Sequence, residues 1–254
     1  MKRRNFQEVW LISVWLCLGG LGLTADSSRS TTKESERMSL RPLLQVFVYN
    51  YAPLSSGDLK VAKEVATGIY ENVGVRVDWL DCHSSEGELK HNPECSRLTP
   101  ATLVVRILPR SKAEFLKQPP AALGFAMLSN SGELAHYSSA FYHRVEELSG
   151  IWTSSRPVVL GHVMAHEMGH LLLGQGGHSR TGLMTADWNR AELELINQRA
   201  FTFTSQQAKE IRGRSLQRHS SAEASRLGQV AEKRQVGGAW MTPRQKRISP
   251  QTSL

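Results

Sequence analysis

An apolar segment at residues 157–173 carries three histidines and a glutamate, and it constrains the fold more than any other part of the sequence. On a helix its apolar residues lie on nearly all sides, which predicts a helix buried in the middle of a domain. His166 and His170 are four residues apart, so both imidazoles project from one face and can reach one metal ion. Glu167 lies beside them, where a carboxylate can hold and deprotonate a water on that ion. The same pattern also fits a core helix with two hydrogen-bonded histidines.

A glycine and a third histidine follow this helix. Gly174 ends the helix and allows the chain to reverse its direction. His178 then returns on a loop, and three protein ligands would leave the fourth position of a zinc ion open, as in catalytic sites. Asp187, Glu192 and Glu194 are the alternative third ligands, since other zinc peptidases recruit a downstream carboxylate.

The segment from His166 to Met184 resembles the metzincin clan of zinc endopeptidases, whose motif is HExxHxxGxxH followed by a methionine turn. His178-Ser179 with a later Gly-Leu-Met is similar to the matrixin version of that motif. The resemblance implies a role for each motif residue: zinc ligands at His166, His170 and His178, the general base at Glu167, the chain reversal at Gly174, and the methionine turn at Met184. The spacing is longer than in the clan, because Gly174 lies eight residues after His166 rather than seven, and His178 twelve rather than ten.

Hydrophobic periodicity predicts the elements around this motif. Strands are expected at residues 43–50, 75–80, 101–108, 123–128 and 137–145. Helices are expected between a cap at Ser56 and a stop at Gly74, at residues 157–173, and at residues 204–216. This order predicts an α+β domain over residues 42–217. The resemblance implies a zincin- or metzincin-like mixed sheet with a central active-site helix and a C-terminal helix, and a peptide substrate that pairs along strand 123–128.

The N-terminus has the pattern of a secretory signal peptide. Lys2, Arg3 and Arg4 precede an apolar run at residues 9–23, and small residues follow it. The run is shorter than the roughly 20 residues that span a bilayer. We therefore predict a cleaved signal at residues 1–25, no transmembrane span after its removal, and a secreted or periplasmic protein; an uncleaved anchor is the alternative. The polar residues 26–41 are expected to form a flexible leader.

Signal removal leaves two cysteines, Cys82 and Cys95. An even pair in an oxidising compartment predicts a disulfide. The alternative is a second metal site formed by Cys82, His83, His91 and Cys95, although that spacing matches no common zinc pattern.

The net charge of +8 is concentrated at the ends of the chain. Residues 212–254 contain nine Lys and Arg against two Glu, whereas residues 31–211 are nearly neutral. The charge therefore does not indicate a nucleic-acid-binding domain, and no specific nucleic-acid partner is expected. Residues 218–254 are polar and basic, which predicts a disordered tail. Weak binding of a polyanion or of anionic lipid by this tail is an alternative role for the chain.

Three further residues could assist the metal centre. His162 precedes His166 by one helical turn and could hydrogen-bond a ligand, but a partly exposed histidine is favoured. Tyr137 and Tyr142 could stabilise an oxyanion from a neighbouring strand, although packed aromatic side chains are favoured for both.

The expectation that follows is a monomeric, exported metalloendopeptidase with one catalytic zinc ion and a peptide or protein substrate. A non-catalytic, exported zinc-binding module that recognises peptides is the alternative. Glu167 argues against that alternative, because a structural site has no need of a base.

Overall fold

One mixed sheet organises the residues that this computed structural model describes, which are 41–82, 93–129 and 133–238. Its strands are β1 (Leu43–Asn50), β2 (Arg76–Cys82), β3 (Thr102–Leu108), β4 (Gly124–Ala126) and β5 (Tyr137–Phe141). Their order across the sheet is β2-β1-β3-β5-β4, and all neighbours are parallel except β4, which runs antiparallel to β5 at one edge. The predicted α+β class is confirmed. The predicted signal peptide, residues 26–40 of the leader and residues 239–254 lie outside the described residues.

Two of the described helices lie between strands along the chain, and four follow the last strand. In the described part they are α1 (Ser56–Asn72), α2 (Arg110–Phe115), α3 (Tyr142–Trp152), α4 (Arg156–Leu173), α5 (Arg190–Asn197) and α6 (Ser205–Gly238). The side chain of Ser55, rather than Ser56, accepts a hydrogen bond from the Asp58 backbone N–H and caps α1. None of the described helices is both long enough and apolar enough to cross a membrane.

The main core lies between one face of the sheet and the pair α1 and α4. Alternate residues of β1 point into it, namely Leu44, Val46 and Val48. The two helices approach closely, because a Cβ added to Gly161 of α4 would lie 2.6 Å from the carbonyl oxygen of Ala62 in α1. The phenol of Tyr70 in α1 donates a hydrogen bond to the Ala165 carbonyl at 3.1 Å. These contacts fix the position and rotation of α4.

The opposite face of the sheet carries a smaller core that contains the disulfide. Cys82 at the end of β2 is bonded to Cys95, and both pack with Phe47 and Val104. The predicted disulfide is confirmed. The alternative metal site is wrong because the disulfide leaves no thiolate to bind an ion; His83 and His91 lie outside the described residues.

The predicted strand at residues 137–145 is wrong in its second half. The chain leaves β5 at Phe141 and turns directly into α3. Tyr142, Val145 and Ser149 are buried at helical spacing, and the Ser149 hydroxyl donates to the Val145 carbonyl at 2.6 Å. The predicted strand therefore runs past Phe141, the point where the residues begin to be buried at the helical period of about 3.6.

The C-terminal prediction also needs correction. Helix α6 does not end near residue 216 but continues to Gly238, so disorder from Arg218 onward is wrong for residues 218–238. Only 4% of Arg218 is exposed. Its guanidinium donates to the carbonyls of Pro100, Ala135 and Leu171 at 3.0, 2.7 and 3.1 Å. The basic composition of this segment predicted side chains exposed to solvent, whereas this arginine is buried against three backbone acceptors.

Candidate metal centre

Helix α4 presents three of the predicted site residues toward one side of its buried surface. His166 and Glu167 are buried and His170 is partly buried. The helix ends where predicted: Leu173 is its last residue, and Gly174 follows with a φ of 78°, its N–H bonded to the His170 carbonyl at 2.9 Å. This φ favours glycine, so the residue type at 174 sets the point where the chain turns toward His178.

Three imidazoles converge at the end of this helix. The Nε2 atom of His170 lies 3.1 Å from Nε2 of His166 and 3.1 Å from Nε2 of His178. Among the described residues, these three histidines are the group of side chains whose ligand atoms lie close enough together to hold a metal ion, all within 4.8 Å. Three nitrogens at such separations can be shared by one ion at the usual Zn–N distance of about 2.0–2.1 Å.

The protonation states of the two helix histidines suit metal binding. The Nδ1 atom of His166 lies 2.7 Å from the Leu183 carbonyl, so Nδ1 carries the proton and donates it, and Nε2 keeps its lone pair. Burial lowers the pKa of His166 to about 4, and burial together with the neighbouring histidines lowers the pKa of His170 to about 3. Neutral imidazoles are the form that binds a metal.

Glu167 is a buried carboxyl group next to this cluster. Only 3% of the residue is exposed, and its Oε2 has no hydrogen-bond partner among the described residues. Burial raises its pKa to about 8. An unsatisfied buried oxygen is costly unless a further group completes the site. The three nitrogens and this oxygen therefore fit a divalent cation that carries a water molecule.

The alternative carboxylate ligands lie elsewhere. Asp187 is exposed and does not join the histidine group. Glu192 accepts a hydrogen bond from the Asn189 backbone N–H at 2.9 Å and completes the capping box of α5. Glu194 pairs with Arg190 at 2.8 Å. In the described part of the chain, the structure brings His178 to the two helix histidines and leaves these three carboxylates outside the group.

The segment that carries His178 leads to Met184, which is fully buried. The Ser179 N–H donates to the Met184 carbonyl at 2.9 Å. A Cβ added to Gly169 of α4 would lie 2.8 Å from the Met184 sulfur, so the methionine packs directly on the helix between the two histidines. The resemblance implied a methionine turn at this residue, and that role stays a prediction.

A cavity of about 480 Å³ opens in front of the histidines. The edge strand β4 and the residues before it form one wall, and Leu148, Val163 and Trp188 supply apolar side chains. Gly124 of β4 touches the glutamate closely: an added Cβ would lie 2.6 Å from Glu167 Oε1. A glycine is therefore required where the edge strand crosses the carboxylate.

Of the three possible auxiliary residues, His162 differs from the favoured interpretation, and Tyr142 is packed as favoured. His162 is buried, with 4% exposed, rather than partly exposed; its Nδ1 pairs with the Val158 carbonyl and its ring stacks on Phe201. Tyr142 is buried at the start of α3 and Tyr137 is partly exposed. Neither tyrosine is among the described residues that line the cavity.

Sequence reasoning missed Gly124 and Trp188. The indole of Trp188 meets the His166 ring edge to face, with ring centres 5.7 Å apart, and donates to the Thr185 carbonyl. Neither residue belongs to a local pattern that could have indicated its place. In comparisons with known proteins, no family model and no curated protein matches the chain.

Proposed function

We propose that the protein is an exported zinc-dependent endopeptidase of the metzincin-like type. The observation that carries this proposal is the convergence of His166, His170 and His178 beside the buried carboxyl group of Glu167. Their cavity has an open sheet edge, β4, as one wall, where an extended peptide can add as a further strand. The disulfide supports export, because disulfides persist in oxidising compartments.

Each residue has a defined task in this proposal. The three imidazoles hold the ion, and Leu183 keeps His166 in the tautomer that can do so. Zinc, when bound, supplies a Lewis acid that polarises a carbonyl and makes water more acidic. Glu167 Oε2 accepts the proton of the attacking water and returns it to the leaving amine. Apolar residues of the cavity, Leu148, Val163 and Trp188, exclude solvent around the substrate.

A Glu167→Gln variant tests the proposal. It keeps the three nitrogens and the size of the side chain but removes the base. We expect one zinc per chain, measured by elemental analysis, and a loss of at least about 100-fold in cleavage of denatured casein. Glu194→Gln is the matched control, since that glutamate is exposed and paired with Arg190, and it should match the wild type in both measurements.

Two results would overturn this function. Retention of a tenth or more of the activity in Glu167→Gln would remove the glutamate from its role as base. Wild-type protein that binds zinc and peptides but cleaves none of a set of unfolded proteins would instead support the non-catalytic recognition module.

A further inference from the structure

His178 is the exposed member of the three histidines, and it lies on a loop rather than on α4. Two of the glycines around it, Gly174 and Gly176, have positive φ angles of 78° and 73°, in the region that glycine enters most easily. A loop of this kind does not by itself hold an imidazole at a fixed distance from two others. The groups that fix the loop therefore determine how well the third ligand is placed.

Gln207, near the start of α6, makes contacts in two directions. Its Oε1 accepts a hydrogen bond from the Thr204 N–H at 3.0 Å, and its own N–H donates to Thr204 Oγ1 at 3.3 Å. This reciprocal pair is a capping box that satisfies the first turn of the helix. The remaining polar atom, Nε2, donates to Ser179 Oγ at 2.9 Å. Only 8% of Gln207 is exposed.

Ser179 follows His178 directly and is bonded in three directions. Its hydroxyl accepts from Gln207 and donates to the Thr181 carbonyl at 2.8 Å, while its backbone N–H donates to the Met184 carbonyl. The amide of Gln207 thus connects the third histidine, the methionine turn and the start of α6. The side chain of Gln207 needs only Oε1 to cap the helix. The hydrogen bond from its Nε2 to Ser179 is therefore additional to capping.

We propose that Gln207 is a positioning residue for the metal centre, which holds His178 against His170 through Ser179. The inference rests on the proposed zinc site and adds a residue to it. Outer hydrogen bonds that orient metal ligands typically change metal affinity by about 10–100-fold. Gln207 acts one residue beyond the ligand, so we expect the lower end of this range.

The experiment measures zinc affinity by competition with a chromogenic chelator, together with thermal unfolding of the metal-free protein. Gln207→Met and Ser179→Ala should each weaken zinc binding about tenfold. The double variant should bind no more weakly than either single variant, because both remove the same hydrogen bond. Gln206→Met, an exposed neighbour on the same helix, should bind zinc as the wild type does.

Thr204→Ala separates capping from positioning. It removes the hydroxyl half of the capping box but leaves Gln207 Nε2 free to donate to Ser179. We expect a lower unfolding temperature with unchanged zinc affinity. If Gln207→Met does not fold, Gln207→Glu decides the question, because Oε1 can still cap α6 while the Nε2 donor to Ser179 is lost.

Wild-type zinc affinity in both Gln207→Met and Ser179→Ala would overturn the inference, provided that His178→Ala loses affinity. Gln207 would then be only a helix cap. Unchanged affinity in His178→Ala would instead overturn the proposed metal centre, so the two failures are distinguishable.

Discussion

His166 and His170 project from α4, which is packed against α1 and the sheet, whereas His178 lies on a loop with many exposed residues. In the first region, rigidity comes from close packing: Gly161 meets α1 without room for a methyl group. In the second region it comes from directional hydrogen bonds, from Ser179 to Met184 and from Gln207 to Ser179. The proposed metal centre therefore joins two candidate ligands fixed by packing to a third fixed by hydrogen bonds.

This difference shows which substitutions each region tolerates. A packed helix is sensitive to added volume, because its neighbours cannot move apart without losing contacts. A hydrogen-bonded loop can accommodate a larger side chain. Its stability is sensitive to the loss of one hydrogen-bond donor, or to a residue that disfavours the φ angle of its position. Each of the following substitutions tests one side of this contrast.

The largest effect is expected from the ligands themselves. His166→Ala and His178→Ala should each weaken zinc binding by more than about 100-fold, since the loss of an outer hydrogen bond can already cost that much. Only His166→Ala should also lower the free energy of unfolding of the metal-free protein, because it leaves the buried Leu183 carbonyl without its donor. Chelator competition and denaturant unfolding measure the two quantities.

Carboxylate variants provide the control for this prediction. Asp187→Ala and Glu194→Ala should bind zinc like the wild type. The prediction fails if His178→Ala keeps full zinc occupancy and one carboxylate variant loses its zinc. That carboxylate would then be the third ligand, and the chain would not be metzincin-like.

An intermediate effect is expected where the two helices meet. Gly161→Ala should reduce the free energy of unfolding by about 2 kcal/mol, because the new methyl group collides with the Ala62 carbonyl and Val65. Gly68→Ala in α1 is the matched control: a Cβ there meets no described atom within 4 Å, so it should stabilise the protein by about 0.5–1 kcal/mol. A neutral Gly161→Ala would show that α4 can shift, contrary to the packing argument.

The smallest effect is expected in the loop. Gly176 has a φ of 73°, and an added Cβ would meet no described atom within 4 Å. Gly176→Ala should therefore cost about 1 kcal/mol from the backbone alone, without a steric collision. Denaturant unfolding of the metal-free protein measures it. A cost above that of Gly161→Ala would mean that the loop is packed as tightly as the helix.

Local patterns explain which parts of this structure could be predicted. The strand at residues 43–50 matches β1 to the residue, because its run of β-branched and aromatic residues is a local signal. The pair His166 and His170, with Gly174 after them, depends only on spacing along one helix. The disulfide followed from the even pair of cysteines that signal removal leaves in an exported chain.

Apart from the end of the strand predicted at residues 137–145, the errors and omissions arise from contacts between distant residues. The buried position of Arg218 depends on carbonyls 118, 83 and 47 residues earlier in the chain, which no composition reveals. The Thr204–Gln207 capping box has a readable signature, but the bond from Gln207 to Ser179 spans 28 residues and depends on the fold. Gly124 is similar, because its requirement is set by the Ser139 carbonyl in β5 and by Glu167 in α4.

Helix α6 also determines when certain hydrogen bonds of the fold can form during synthesis of the chain. Its residues provide the partners of groups made much earlier: Gln207 bonds Ser179, and Arg218 bonds the carbonyl of Leu171 near the end of α4. A nascent chain shorter than about 218 residues lacks the last of these donors and leaves those carbonyls to water. The hydrogen bonds from α6 to Ser179 and to the Leu171 carbonyl are therefore all available only after residue 218 has been made. A chain that is cut short before Arg218 would contain every metal ligand but not the hydrogen bonds that Arg218 supplies.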